Sequence, residues 1–457
     1  FLIGKDPGTS DGDPVVMRPP PEAEDFFKAW IKSQPPGVRK LFPNGMASAL
    51  LVVEGNLYGR RTAGAVFRDE FEEIMVALPG LKLIRGTREA CLYYDPVTKL
   101  MVLHHVDDLR TAGPKPARLT FFAELRKRVP LKEGPEEAIG TVIDILGRTR
   151  YRLEDSIVSV PSEKYTDNFL KALNMEDCKP SPVPSKQWDR TEVLVAFIEE
   201  EDAKAYRTAV GNGIYLSRDR NDIKHAVKEL ARHMQQPRRG DLAQCRLLAR
   251  YLQGTRGLGN LLQVAEEERG RETWSITVYN DSDWAQCPDS RRSTTGEVAC
   301  AAGCPVEATS QTQPGLPAVP VGEAETRASC HGACTALFLE QLLREDMQQQ
   351  TETPVLYTDN TSNLQNTDKL GIGGRMRHIE TQYLFVQSAV KKGVLKVKKI
   401  DGKKNPSNAL TKHLKSGPEH EDARLGLGLI DSSQLSLQKY TKLKVAPAKK
   451  KPWYPGT

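Results

Sequence analysis

The segment from residue 271 to residue 415 constrains the fold most strongly, because strand and helix patterns alternate along it in a regular order. Two strands are predicted first, since "WSITVYNDSDW" (274–284) alternates apolar and polar residues and "GEVACAA" (296–302) follows it. The remaining elements are a long helix (323–346), a strand (354–360), a helix (376–393), a strand (394–400) and a short helix (406–414). This order predicts an α/β domain of ordinary size.

Three acidic residues stand at the ends of these predicted elements. Asp281 and Asp359 end predicted strands, and Glu325 lies near the start of the long helix. Carboxylates held at strand ends suit Mg²⁺, which prefers oxygen ligands and usually keeps several waters. The three acids therefore predict a cup for two-metal chemistry, in which one ion activates water and the other stabilises the leaving oxygen. Acids that only cap or solvate the strand ends are the alternative interpretation.

A second group of carboxylates occurs in "LHHVDDLRTAG" (103–113). The predicted strands "CLYYDP" (91–96) and "KLMVLHHV" (99–106) precede it, which puts Asp107 and Asp108 at the tip of a hairpin. The pair fits either a metal site for nucleotidyl transfer or an ordinary acidic β-turn. Two-metal transfer usually needs a third carboxylate from elsewhere in the chain.

Basic residues are clustered, although the net charge of the 457-residue chain is only +6. The predicted helix over 221–234 carries Lys224, Lys228 and Arg232 as one stripe, and the helix over 240–254 carries Arg246 and Arg250 one turn apart. The run "KKGVLKVKKIDGKK" (391–404) contains seven lysines and one aspartate. Such clusters fit solvated faces, and they also fit contacts with the phosphates of a polyanion.

Several other function classes lack their signals in this sequence. No uninterrupted apolar run is long enough to span a bilayer, and no secretory leader follows the first residue. A G-x-S-x-G nucleophile elbow is absent, and the eight scattered cysteines suggest neither a disulfide framework nor a zinc site. These observations leave both interpretations of the acidic clusters open, a metal site or acids that only cap and solvate the strand ends.

Longer motifs place the whole chain in a family context. The first group of motifs is "LYGRRTAGAVF", "CLYYDPVTKLMVLHHVDDLRTAG" and "EKYTDNFLKALNMEDCKPSPVP". The second group is "YRTAVGNGIYLSRDRNDIKHAVKELARHMQQP" and "LLARYLQGTRGLGNLL". The third group is "YNDSDWAQCPDSRRSTTGEVACAAGCPV", "GEAETRA", "LYTDN" and "RHIETQYLFV". In this order they resemble the reverse transcriptase, the joining segment and the RNase H domain of copia-type LTR retrotransposon Pol polyproteins. The similarity covers nearly the whole chain, and its order is more specific than any single motif.

The resemblance implies functional residues in the RNase H-like part. Asp281, Glu325 and Asp359 match the first three acids of the family's catalytic quartet, and His378 matches a histidine found there. The fourth acid is replaced by Asn408, whose neutral amide oxygen should hold a divalent ion less tightly than a carboxylate. The implied cofactor is Mg²⁺, with Mn²⁺ as an alternative, and Asp283 and Asp401 are the nearby acids that could compensate.

In the polymerase-like part, the resemblance implies that Asp107 and Asp108 are the catalytic metal-binding pair. The family motif is usually Tyr-Val-Asp-Asp, whereas His105 occupies the Tyr position here. The opening "FLIGKDPG" resembles the end of a stretch that follows the third metal-binding acid, so that acid would align before Phe1. We therefore expect an incomplete polymerase, inactive on its own.

The expected fold is an α/β and α+β multidomain protein, with a partial reverse-transcriptase palm and thumb region followed by an RNase H-like α/β domain with a mixed central sheet. The predicted segments are a Pro-rich remnant of the fingers and palm connection (1–47), a partial palm (48–184), a helical thumb or connection segment (185–270), the RNase H-like domain (271–415) and a basic C-terminal tail (416–457).

The resemblance also implies partners, a location and two competing functions. The implied partners are an RNA–DNA hybrid, an RNA template and DNA, with no membrane, and either a dimer or other Pol copies. The implied location is the cytoplasm, in virus-like particles, or the nucleus, and not the secretory route. One hypothesis is a Pol enzyme whose RNase H domain hydrolyses the RNA of hybrids. The alternative is a catalytically decayed remnant that only binds nucleic acid, which His105 and Asn408 favour.

Overall fold

The chain is divided into two units in the computed structural model, which describes residues 16–19, 21–52, 63–106, 108–132, 134, 136–188, 191–367, 380–415 and 417–435. The first unit comprises residues 1–133 with 345–348, and the second comprises residues 134–344 with 349–457. Among the helices in these described ranges, none is both long and apolar enough to cross a membrane.

The first unit is built on a four-stranded antiparallel sheet in the order β3-β4-β5-β6. Its helices are α1 (Glu24–Ser33), α2 (Pro36–Arg39), α3 (Ala63–Val76) and α4 (Lys115–Leu125), and its strands are β1 (Val16–Met17), β2 (Leu51–Val52), β3 (Ile84–Arg85), β4 (Leu92–Asp95), β5 (Leu100–His105) and β6 (Asp108–Ala112). Phe71 of α3, Val102 of β5 and Phe121 of α4 share one buried core. Side chains of β5 alternate between buried and more exposed, as the period of a half-buried strand requires.

The second unit contains two five-stranded sheets and most of the helices of the described chain. Its strands are β7 (Val142–Ile145), β8 (Arg148–Arg152), β9 (Ser156–Pro161), β10 (Leu258–Gln263), β11 (Thr273–Trp274), β12 (Ile276–Ser282), β13 (Thr294–Ala301), β14 (Cys304–Thr312), β15 (Gln350–Thr351), β16 (Val355–Thr358), β17 (Lys396–Lys399) and β18 (Leu429–Asp431). Its helices are α5 (Glu163–Ala172), α6 (Glu192–Val195), α7 (Glu200–Leu216), α8 (Lys224–Ala231), α9 (Arg239–Gly254), α10 (Val321–Gln341), α11 (Thr361–Thr367), α12 (Glu380–Lys391) and α13 (Gly417–Gly426).

The central sheet of the second unit has the order β14-β13-β12-β16-β17. β12, β13 and β14 are antiparallel neighbours, whereas β16 is parallel to β12 and β17 is parallel to β16. This confirms the predicted α/β and α+β multidomain fold with a mixed central sheet. Helix α10 packs across β12, and Gly332 allows the close approach, because a Cβ there would lie 2.7 Å from Leu356 Cδ1 and 3.3 Å from Val278 Cγ1.

A helical core is formed by α5, α7, α8 and α9. The predicted apolar stripe of the 221–234 segment is buried there through Ile223, Val227 and Leu230, with Met234 packed against it. The helix itself is shorter than the pattern, because residues Asn221–Ile223 form a 3₁₀ turn before α8 begins at Lys224.

The other five-stranded sheet joins distant parts of the sequence in the order β18-β10-β9-β8-β7. Strands β7 to β9 come from the segment predicted as palm, yet they belong to the second unit through the pairing of β9 with β10. Residues 417–435, predicted as part of a basic tail, instead form α13 and β18, because Leu427 and Leu429 are buried in the core under the central sheet. The predicted domain boundaries otherwise stay a prediction.

Candidate metal centre

Three acidic side chains converge at one edge of the central sheet. One carboxylate oxygen from each of Asp281, Glu325 and Asp359 lies within 4.8 Å of the other two. Asp281 and Glu325 are buried, and Asp359 is half-buried. These are the three acids that the sequence predicts to form a cup. The structure brings them together, and their catalytic role stays a prediction.

The sheet topology explains why the acids meet. Strands β12 and β16 are parallel neighbours in the register Tyr279↔Tyr357, so their C-terminal ends lie at the same edge. Asp281 is the penultimate residue of β12, and Asp359 follows the last residue of β16. Glu325 comes from the first turns of α10, seven residues before Gly332, where the helix lies against both strands.

A short segment after β17 completes the wall around Asp281. Asn405 Nδ2 donates to the Asn280 carbonyl (2.9 Å), and Thr411 Oγ1 donates to Asp281 Oδ2. Lys412 Nζ lies 3.5 Å from the same carboxylate oxygen. Gly296, the β13 residue opposite Asp281, leaves room for this segment, since a Cβ there would lie 2.6 Å from Thr411 Cγ2.

Burial and nearby negative charge make the carboxylates of Asp281 and Glu325 costly to ionise. Burial, followed by the charges of Asp281 and Asp359, raises the pKa of Glu325 to about 8. Burial also raises the pKa of Asp281, although Lys412 and Thr411 oppose this shift. A divalent cation would relieve the repulsion, so the donor set fits an oxygen-preferring ion such as Mg²⁺.

We expect Glu325→Gln to increase stability at alkaline pH in the absence of metal. The pKa of Glu325 is raised in the folded state, so the stability conferred by its proton is fully present below the unfolded pKa and is lost as the pH rises towards about 8. The glutamine cannot ionise, so the free energy of unfolding of the variant relative to wild type should rise on the order of 4 kcal/mol between pH 5 and pH 8.5. Urea denaturation in EDTA at both pH values measures this difference.

The control for this prediction is Glu272→Gln, which removes the same charge at an exposed position. At alkaline pH, Mn²⁺ should reduce the difference in free energy of unfolding between Glu325→Gln and wild type, because the ion binds the ionised carboxylates of the wild-type chain. A difference that does not change with pH would show that Glu325 does not ionise in a buried acidic cup.

Asn408 lies beside the cup within the 3₁₀ turn Pro406–Leu410. Its Nδ2 donates to the Gly402 carbonyl (2.5 Å), whereas its buried Oδ1 has no hydrogen-bond partner among the residues that the structure describes. Neither Asp283 nor Asp401 joins the acid cluster in the described part of the chain. Asp283 accepts a hydrogen bond from the Thr294 N–H, and Asp401 accepts one from the Lys403 N–H (3.0 Å). Asn408 therefore has a buried oxygen without a described partner beside the cup, whereas Asp283 and Asp401 lie outside the acid cluster.

The other predicted catalytic residues are less fully placed. His378 and Asp107 lie outside the described residues. Asp108 is an exposed residue at the start of β6, and its pairing with His105 confirms the predicted hairpin. At the tip, Val106 has φ +58°, a left-handed conformation that is uncommon for a β-branched residue.

The predicted cationic stripe of α8 faces the protein rather than solvent. Lys228 Nζ donates to Thr294 Oγ1 of β13 (2.6 Å), and Arg232 Nη2 donates to Thr312 Oγ1 of β14 (2.6 Å). Burial lowers the pKa of both Lys224 and Lys228. The sheet therefore covers much of the stripe, and its predicted contact with backbone phosphates stays a prediction. Arg246 and Arg250 of α9 are exposed, and their predicted contact with nucleic acid stays a prediction.

Two residues at the cup were missed by sequence reasoning. Thr411 and Lys412 both contact Asp281, and neither is among the predicted site residues. Their place directly after Asn408 in the "ALTKHL" stretch was the available signal.

Comparisons with known proteins add a second line of evidence. No protein-family model matches the chain. The chain is 27% identical over 384 residues to the retrovirus-related Pol polyprotein from transposon RE1 of Arabidopsis thaliana, covering 84% of this chain and 25% of that protein. It is 27% identical over 368 residues to the corresponding polyprotein from transposon TNT 1-94 of Nicotiana tabacum, covering 78% of this chain and 26% of that protein. The chain thus spans about a quarter of the length of these curated relatives.

Among solved structures, the chain has a distant likeness to a foamy viral protease-reverse transcriptase in complex with double-stranded DNA. The TM-score is 0.37 and the sequence identity is 10%, over 77% of this chain and 61% of that chain.

Proposed function

Since this chain is a relative of the retrovirus-related Pol polyproteins of plant transposons, we propose that its second unit contains a ribonuclease H domain that cleaves the RNA strand of RNA–DNA hybrids. The observation that carries this proposal is the convergence of Asp281, Glu325 and Asp359, with carboxylate oxygens within 4.8 Å of one another. The mixed sheet order and the position of α10 support it, because they bring acids from three separate elements to one edge.

The chain's own residues have distinct roles in this proposal. Asp281, Glu325 and Asp359 would hold Mg²⁺ or Mn²⁺, and the ion, when bound, supplies activation of water and stabilisation of the leaving oxygen. Thr411 orients Asp281 through its hydroxyl hydrogen bond, and Lys412 balances the charge of that carboxylate. Asp281 and Glu325 are buried, so the residues packed around them keep their carboxylates in place and limit the access of water that would compete for the ion.

For the first unit we propose descent from a reverse-transcriptase palm, with Asp107 and Asp108 as the metal-binding pair. The family relationship and the position of Asp108 beside the tip of the β5–β6 hairpin support this assignment.

The direct test is incubation of the purified chain with an RNA–DNA hybrid whose two strands carry different labels. Mg²⁺ and Mn²⁺ are supplied in separate reactions, and EDTA serves as the blank. Metal-dependent cutting of the RNA strand alone is the expected result. Intact RNA in both metals, with the hybrid still bound, would reject the hydrolytic function.

A catalytically decayed nucleic-acid-binding remnant is the second candidate. Asn408 favours it, because an amide occupies the position of the fourth acid and its buried Oδ1 carries no charge. In this case the chain would bind the hybrid in a strongly salt-dependent manner and leave it uncut.

Asn408→Asp should therefore raise metal-dependent cleavage. A carboxylate in this position adds a charged ligand oxygen, so we expect the Mn²⁺ concentration for half-maximal cleavage to fall about tenfold. Asp401→Glu, which enlarges an acid outside the cluster, is the comparison variant. An unchanged metal dependence in Asn408→Asp would show that this position does not reach the bound ion.

A further inference from the structure

The lysine-rich run over 391–404 occupies the outer edge of the central sheet and the turn that follows it. β17 pairs with β16 on one side and is the last strand of the sheet order. Its lysines and those of the next turn are exposed, namely Lys396, Lys398, Lys399, Lys403 and Lys404. Two more exposed lysines, Lys391 and Lys392, lie at the other end of the strand, where α12 ends.

Edge protection explains only part of this cluster. Exposed lysines on an edge strand prevent pairing with other chains, and this accounts for the lysines within β17. Lys403 and Lys404 lie beyond the strand, in the 3₁₀ turn Gly402–Lys404, where no strand edge needs protection. Their position therefore needs another physical reason.

The turn that carries these two lysines is held against the acidic cup. Parallel pairing places Lys399 beside Thr358, and Lys399 Nζ donates to the carbonyl of Asp359 (2.8 Å). Gly402 lies so close that a Cβ there would be 2.9 Å from Asp359 Oδ2. Asn408 Nδ2 fixes the Gly402 carbonyl from the other side (2.5 Å). These contacts keep the exposed cations of the turn next to Asp359.

We infer that Lys403 and Lys404, here called the lysine rim, bind backbone phosphates of the RNA–DNA hybrid beside Asp359. The inference rests on the proposed function and specifies where its substrate lies. Three carboxylates repel a polyanion, and cations at the same edge offset that repulsion while contacting phosphates without reading sequence. The rim lysines are exposed, whereas Lys228 of the α8 stripe donates a hydrogen bond to Thr294 of the sheet.

The chain itself offers a matched control for the rim. Lys403→Gln/Lys404→Gln removes two exposed charges beside Asp359, and Lys391→Gln/Lys392→Gln removes two exposed charges at the opposite end of β17. Both double variants change the net charge equally, so any difference between them reports position. Lys399 is left unchanged in the test because its side chain also holds the Asp359 carbonyl.

Binding of a fluorescent RNA–DNA hybrid is measured by anisotropy in EDTA over a series of KCl concentrations. We expect the rim variant to bind about tenfold more weakly at ~0.1 M KCl, and its slope of log affinity against log salt to fall by about 1.8, for two lost phosphate contacts. The control variant should lose less than about threefold under the same conditions.

Equal weakening of the two variants, unchanged binding of the rim variant, or no hybrid binding by the wild-type chain would each overturn the inference. Because EDTA removes the metal, the binding result does not depend on catalysis. If the wild-type chain does not cut RNA but the rim variant binds the hybrid more weakly than the control variant, the proposed hydrolysis is wrong and the inference about the lysine rim stands. If the wild-type chain cuts RNA and the rim variant binds the hybrid as tightly as the wild type, the proposed hydrolysis stands and the inference about the lysine rim is wrong.

Discussion

Asp281→Asn should lower the metal-dependent cleavage of RNA in a hybrid by about a hundredfold or more. Asp281 lies within the acidic cluster, and asparagine keeps its shape while removing a charged metal ligand. Charge stabilisation by bound metal contributes several kcal/mol to such transition states, and each ~1.4 kcal/mol corresponds to tenfold in rate. Initial rates of RNA cleavage in saturating Mn²⁺ measure the loss.

The same variant should fold at least as well as the wild-type chain. Burial raises the pKa of Asp281, so a neutral amide at this position relieves an ionisation cost at neutral pH. Asp401→Asn is the matched control, since it removes a carboxylate charge near the site but outside the cluster. If Asp281→Asn and Asp401→Asn cut RNA at wild-type rate, the three acids are not the catalytic centre.

Asp222→Asn should destabilise the second unit by about 3–5 kcal/mol, because it leaves a buried guanidinium without its counter-charge. Arg220 is 1% exposed, and its Nε and Nη2 donate to the two carboxylate oxygens of Asp222 (2.9 and 2.8 Å). Tyr251 Oη also donates to Asp222 (2.6 Å), and Arg220 Nη1 donates to the Thr255 carbonyl (2.8 Å). These bonds join the turn before α8 to the end of α9, so their loss should destabilise the packing of the helical core.

Urea denaturation of the variant measures the cost, and a double variant separates the pair from its surroundings. Arg220→Met/Asp222→Leu removes both charges and should be more stable than Asp222→Asn, because no unpaired buried charge remains. A loss below about 1 kcal/mol in Asp222→Asn would fit an exposed ion pair and would contradict the buried network.

Local patterns predicted the elements of the second unit with useful accuracy. The alternation in "WSITVYNDSDW" corresponds to β12, and the helix predicted over 240–254 corresponds to α9. The hairpin partner β14 was not predicted, because Pro305 and the polar residues over 309–312 weaken its apolar pattern. Strand β18 was likewise read as tail, since a three-residue strand carries too little periodicity to be recognised.

The α8 stripe shows where periodicity stops being informative. Spacing at i, i+4 and i+8 identifies a cationic face, but a helix held between a helical core and a sheet has two covered faces. Lys228 and Arg232 lie against β13 and β14, which are 66 and 80 residues away in sequence. Only long-range packing could show that this face was covered.

By itself, the sequence determined most of the strands and helices between residues 271 and 415 and which acids stand at their ends, because these features depend on neighbouring residues. Only the tertiary structure decided that Asp281, Glu325 and Asp359 share one cup, since the parallel pairing of β12 with β16 joins segments separated by a hairpin and a long helix. It also decided that the exposed lysines beside the cup come from the 402–404 turn rather than from α8. Contacts between distant segments depend on how the whole chain buries its apolar surface, and local spacing does not record that outcome.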